Sequence, residues 1–148
     1  ELECRCSLNR IANYTTRVSG PLTERIDIHL EVARQTREVL RGGHTSEETS
    51  AVVRERIVRT QRRQLQRQGV LNGLLNAGVV AARCITSRTA MKLLETAIDR
   101  LALSARGYHK VLKVAKTIAD IEERDSIEER DIAEAVNFHS LDRNRRKI

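Results

Sequence analysis

Apolar positions along this chain fall mostly at helical spacing. Ser7 can cap a first helix over about Leu8–Val18, where Ile11, Tyr14 (with Thr15) and Val18 share one face. Ser19-Gly20-Pro21 ends it, because proline has no amide to donate and glycine punctuates. Beyond a short turn, Ile26, Ile28, Leu30 and Val32 alternate with polar residues, and this period of two predicts a strand over 26–32. It is the one convincing strand pattern in the sequence, and a lone strand cannot satisfy its own backbone donors and acceptors. It should therefore pair with another copy, fold against the helices that follow, or be poorly ordered.

A linker with a helical turn around Thr36–Leu40 leads to the loop Arg41-Gly42-Gly43-His44-Thr45-Ser46, where we place a domain boundary, giving 1–42 and 43–148. Everything after it reads helical. Thr49 or Ser50 caps a long helix to about Gln68, stopped by Gly69, with sparse apolar positions at Val52, Val53, Ile57 and Leu65. A short helix, about Ala77–Arg83, carries Val79, Val80 and Ala81. Thr86 or Ser87 opens the next, with Ala90, Leu94, Ala97, Ile98 and Leu101 in register. Ser104 caps a helix from Ala105 to about Glu122 that should bury Tyr108, Val111, Leu112, Ala115, Ile118 and Ala119. A last helix, about Glu128–Asn137, points Ile132, Ala133 and Val136 inward, and the basic tail Arg143–Lys147 has no core face. There is no internal repeat. The expected fold is mainly α, a helical bundle preceded by one helix and one strand.

Composition narrows the function. Only 2% of the 148 residues are aromatic, with no Trp, which argues against stacking platforms for single-stranded nucleic acid. The net charge of +7 suits acidic partners, and the long helix concentrates Arg54, Arg56, Arg59, Arg62, Arg63 and Arg67. Arg56, Arg59 and Arg63 are candidate DNA phosphate contacts; a solvated helix face is the plainer reading. The acidic stretch Asp120–Glu134 offsets that charge and would repel DNA. Three cysteines are too few for a disulfide framework, so a reducing cytoplasm is expected. No apolar run reaches membrane-spanning length, no signal-peptide pattern opens the chain, and Glu1 reads as a cut point inside a longer protein.

No catalytic constellation stands out. The chain has no G-x-x-x-x-G-K-[ST] loop and no G-x-S-x-G, and His29, His44, His109 and His139 lack metal-ligand spacing. Cys4-x-Cys6 is either two idle thiols or half of a zinc site, which needs four ligands; Cys84 reads as a small buried hydrophobe. Arg25, before the strand, could stabilise charge on a phosphate of a neighbouring subunit. Arg106, in the first turn of a helix, stands against the dipole, and a bound phosphate would account for it. Each is otherwise an ordinary surface arginine.

Cys4-Arg5-Cys6 and the run Arg17-Val18-Ser19-Gly20-Pro21-Leu22-Thr23-Glu24-Arg25-Ile26-Asp27-Ile28-His29 resemble the R-I-S-G-P-L-L-D-R-I-D-L-H stretch of magnesium-chelatase-like AAA+ ATPases, in the competence-protein (ComM-like) branch. The likeness continues through Glu48–Ala51 and 62–72 and is strongest over Leu103-Ser104-Ala105-Arg106-Gly107-Tyr108 to Asp120. It implies that 1–42 ends an α/β ATPase core and that 43–148 is the helical lid. It implies an arginine finger in trans at Arg25 and a sensor-2 arginine at Arg106, which contacts the ATP γ-phosphate. ATP and Mg2+ would be the cofactors, and identical subunits in a ring, the rest of the same polypeptide and DNA the partners. An upstream C-P-C-G of the family would complete a zinc cluster with Cys4 and Cys6. Thr23-Glu24 and Gly107 depart from the family pattern without removing a phosphate contact. Without the Walker motifs, these residues should not hydrolyse ATP alone. A tetrapyrrole magnesium-chelatase ATPase subunit and a stand-alone basic DNA-binding module are the alternatives.

Overall fold

The computed structural model describes residues 6–17, 25–30, 32, 37 and 48–138. Among these, six α-helices form: α1 (Leu8–Arg17), α2 (Ser50–Gln68), α3 (Ala77–Arg83), α4 (Arg88–Leu101), α5 (Ala105–Ile121) and α6 (Glu129–Asn137), with a 3-10 turn at Asn72–Leu74. The mainly helical expectation holds. Cys4, Pro21, the 41–46 loop and the tail 143–147 lie outside the described residues, as does the boundary placed at 42–43. Of the helical turn expected around Thr36–Leu40, only Arg37 is described, and it is helical.

The caps choose between the sequence alternatives. Thr49 accepts the Val52 amide at 3.4 Å, Ser87 accepts that of Ala90 at 3.2 Å, and Ser104 accepts that of Gly107 at 3.2 Å. Gly69, at φ 75°, closes α2 by donating its amide to the Leu65 carbonyl. Glu128 and Asp131 form a reciprocal capping box at the start of α6. A two-residue parallel bridge, Thr86 with Ile127, ties together the loops that lead into α4 and α6.

The hydrophobic core lies where α4, α5 and α6 meet, with α3 against them: Val80, Cys84, Ala90, Leu94, Val111, Leu112, Ala115, Ile127, Ile132 and Ala135 are buried in one cluster. The apolar stripes at i, i+3 and i+4 on each helix produce it. Two details differ from the sequence reading. Ala133 is exposed and Ala135 takes the inward place, because Ile132, Ala135 and Val136 are the residues that share a helical face. Tyr108 and Ile118 pack on the cluster only partly buried.

The strand expected over 26–32 does not form in its described residues. Ile26, Ile28, Leu30 and Val32 are exposed, and the polar His29 is the buried member. Among the described residues no strand lies beside this segment, so its backbone turns to the bundle instead. The His29 amide donates to the Phe138 carbonyl at 2.8 Å, and Lys110 Nζ donates to the Ile26 carbonyl at 2.9 Å. Of the three outcomes expected for an orphan strand, folding against the helices is the one observed. Among the described residues no helix is long and apolar enough to cross a membrane.

Candidate functional site

Two regions gather the chemistry. The first is the N-terminal end of α5. Ser104 caps the helix through the Gly107 amide, and Arg106 stands exposed in that first turn. Lys110 follows one turn later, on the same face. Its ammonium group holds the Ile26 carbonyl and lies 3.5 Å from the Asp27 carboxylate. The segment carrying Arg25 is thereby fastened beside the turn carrying Arg106. Both arginines are exposed. Neither has an ion pair among the described residues.

The second region is the seam between α2 and the C-terminal end of α5. Asp120, fully buried, accepts from Arg67 Nη1 at 2.6 Å, Arg67 Nη2 at 2.8 Å, Asn72 Nδ2 at 2.9 Å and the buried Lys116 Nζ at 2.5 Å. Gln64 Oε1 in turn accepts the Asn72 backbone amide at 2.9 Å. Burial alone would raise the Asp120 carboxyl; hydrogen bonds from Arg67, Lys116 and Asn72 outweigh it and hold the group below the usual carboxylate range. Asp131 follows the same logic, with burial opposed by a two-pronged pair from Arg124 and by the Glu128 amide. Cys84 is buried, and desolvation pushes its thiol up to about 11, although Lys116 and Arg67 act against that.

The arginines selected as phosphate contacts all hold acidic partners. Arg56 forms a two-pronged pair with Glu48 at 2.8 and 2.9 Å. Arg59 reaches Glu123 at 3.2 Å and Glu55 at 3.7 Å, and Arg63 reaches Asp125 at 2.5 Å. The acidic stretch thus offsets the basic helix by direct pairing. Cys4 lies outside the described residues, and Cys6 is exposed just before α1. Among the described residues no group of three or more His, Cys, Asp or Glu could hold a metal ion. The Asp120 network went unread in the sequence. Its one signal was a Lys-x-x-x-Asp spacing within an otherwise apolar helix face, at Lys116 and Asp120.

Cap chemistry, core and ion-paired long helix together define a helical bundle, consistent with the helical lid of magnesium-chelatase-like proteins. Residues 47–139 match the family "Magnesium chelatase, subunit ChlI C-terminal", and residues 1–40 match "Magnesium chelatase, subunit ChlI". The chain belongs to this magnesium-chelatase family. It is 34% identical to competence protein ComM of Haemophilus influenzae over 144 residues, 97% of this chain and 28% of that protein. It is also 34% identical to YifB of Salmonella typhimurium and to YifB of Escherichia coli, each over 139 residues, 94% of this chain and 28% of theirs. The chain therefore spans little more than a quarter of the length of these relatives.

Proposed function

We propose that this chain works as the C-terminal part of an oligomeric, ATP-driven machine of the AAA+ type that acts on DNA. The observation that supports it is the fastening of the Arg25 segment beside Arg106 through Lys110, Ile26 and Asp27. Two exposed guanidinium groups, one at a capped helix N-terminus, suit phosphate oxygens. ATP with Mg2+ supplies the phosphoanhydride whose cleavage releases the driving energy. Arg106 would bind the γ-phosphate from the lid, and Arg25 would stabilise charge on the nucleotide of the next subunit in a ring. The remaining core would come from the same polypeptide. Zinc on Cys4 and Cys6 would need two further ligands from elsewhere.

The likeness to a protein named for competence favours DNA as the substrate. DNA contact through Arg56, Arg59 and Arg63 would require phosphates to displace Glu48, Glu123 and Asp125. A second reading, the ATPase subunit of a chelatase inserting Mg2+ into a tetrapyrrole, is favoured by the family description matched at both segments. Steady-state ATP hydrolysis by the full-length protein tests both. Arg25→Ala should abolish turnover and spare ATP binding, and Arg106→Ala should weaken binding or coupling. Full turnover in either variant removes that residue's role. Stimulation by duplex or single-stranded DNA supports the first reading; stimulation by a porphyrin supports the second.

A further inference from the structure

The long helix α2 is mounted inside out. Its residues turned to the bundle include Arg56, Thr60, Arg63, Gln64 and Arg67, while Val52, Ile57, Val58 and Leu65 are exposed, Val52 at 51% and Leu65 at 47%. No α2 residue belongs to the hydrophobic core cluster. A helix usually gains its place by burying an apolar stripe. This one is held by hydrogen bonds and ion pairs, and they are unequal along its length.

At the C-terminal end, Gln64, Arg67 and Gln68 are bound into the buried Asn72–Asp120 network. Toward the N-terminal end, the exposed links to the bundle are Arg59–Glu123, with both side chains 62% exposed, and Arg63–Asp125, whose aspartate is 90% exposed; Arg63 Nε also lies 3.8 Å from the buried Asp120 carboxylate, a longer contact with no hydrogen bond. The Arg56–Glu48 pair joins α2 to its own leading segment and would travel with it. Between this half of the helix and the end of α5 lies a half-open cavity of about 570 Å³, bordered by Val52, Arg56, Arg59, Arg63, Ile121 and Glu123. The left-handed Gly69 and the 3-10 turn sit just beyond the pinned end.

We infer that α2 is a lever arm pivoting near Gly69, latched to the bundle by Arg59–Glu123 and Arg63–Asp125 and released when those two pairs break. The geometry of a rod explains the selectivity. At a rise of about 1.5 Å per residue, a swing of about 20° displaces residue 67 by roughly 1 Å, residue 59 by roughly 5 Å and residue 51 by roughly 9 Å. The Arg67–Asp120 pin tolerates the first displacement; residues 63 and 64 move by roughly 3 Å, so the two latches give way and the Gln64–Asn72 hydrogen bond goes with them, leaving Arg67 and Gln68 as the pin. Exposed ion pairs contribute little and weaken in salt, so the latch opens far more readily than the core. Release uncovers two arginines and widens the cavity without disturbing α4, α5 or α6. This device is independent of what the assembly acts on.

Distances between pairs of spin labels test it, in the full chain with Cys4→Ser and Cys6→Ser. Ala51→Cys with Glu95→Cys reads the arm tip. Gln66→Cys with Glu95→Cys reads the pivot, and Glu95→Cys with Glu134→Cys reads the core. Raising salt from about 0.05 M to about 1 M, where the screening length falls to roughly 3 Å, should lengthen or broaden the tip distance by several ångströms. The other two distances should stay fixed. Glu123→Gln with Asp125→Asn should produce the open tip distribution at low salt and remove its salt dependence. A tip distance indifferent to both salt and the double variant overturns the lever. A core distance that loosens together with the tip overturns it as well.

Discussion

Arg67 and Asp120 stand 53 residues apart in sequence and meet in a two-pronged ion pair that joins the end of α2 to the end of α5. The carboxylate is fully buried, and it also neutralises Lys116, the largest fully buried side chain among the described residues. One buried anion thus accepts from two cations, with a third, Arg63, 3.8 Å away. Replacing it strands both, which is the costly way to break a buried pair. Asp120→Ala should destabilise the fold by about 3–5 kcal/mol. Asp125→Ala, at a position 90% exposed, should cost at most about 1 kcal/mol. Urea midpoints for the two variants check the contrast, and equal losses would contradict the network.

Two buried carboxylates, Asp120 and Asp131, set the acid limit. Asp120 and Asp131 both titrate below their ordinary range in the folded protein. The stabilisation they bring is present above the unfolded carboxyl value, about pH 4, and is lost as pH falls through the lower folded values. Melting temperature should therefore drop steeply below about pH 4. Asp131→Asn should lower the neutral-pH melting temperature and flatten part of that acid slope. A variant that keeps the full acid slope would remove Asp131 from this role.

The bundle was legible because its helices follow rules written locally. Thr49, Ser87, Ser104 and Gly69 mark ends, and stripes such as Val111, Leu112 and Ala115 mark the inward face. The 26–32 segment misled because period two reports an alternating pattern, not the presence of a neighbour to pair with. Its hydrogen bonds go to Phe138 and Lys110, distant in sequence and silent in any local pattern. The Asp120 network failed to show for the opposite reason. Its members are charged residues on helices, which read as solvated faces until the helices are brought together. At the candidate phosphate site, Arg25 and Arg106 were singled out by position and resemblance, but Lys110, which fastens one beside the other, was not.

Cysteine chemistry separates the two described thiols. Cys6 is exposed, whereas Cys84 is buried and titrates near 11. A thiol reacts as its thiolate and only where reagent can reach it. At about pH 8 a maleimide should therefore label Cys6 within minutes and leave Cys84 unmodified until denaturant is added. Peptide mass spectrometry reads both positions. Native labelling of Cys84 at the rate of Cys6 would contradict the packing of α3 against the core.

Among the described residues, two helices close with a left-handed residue, and they make opposite forecasts. α2 ends at Gly69, φ 75°, where a side chain would meet open space yet suffer the backbone strain. α4 ends at Ala102, φ 42° and ψ 53°, a conformation that a Cβ opposes. Glycine relieves that opposition, although it also gives the unfolded chain more freedom. Ala102→Gly should consequently stabilise the protein by about 0.5–1 kcal/mol, and Gly69→Ala should destabilise it by about 1 kcal/mol. Because neither change alters a core contact, both should appear as shifts in denaturation midpoint at constant slope. Loss of stability in Ala102→Gly would mean that the α4 terminus depends on the Ala102 methyl group more than on its dihedral angle.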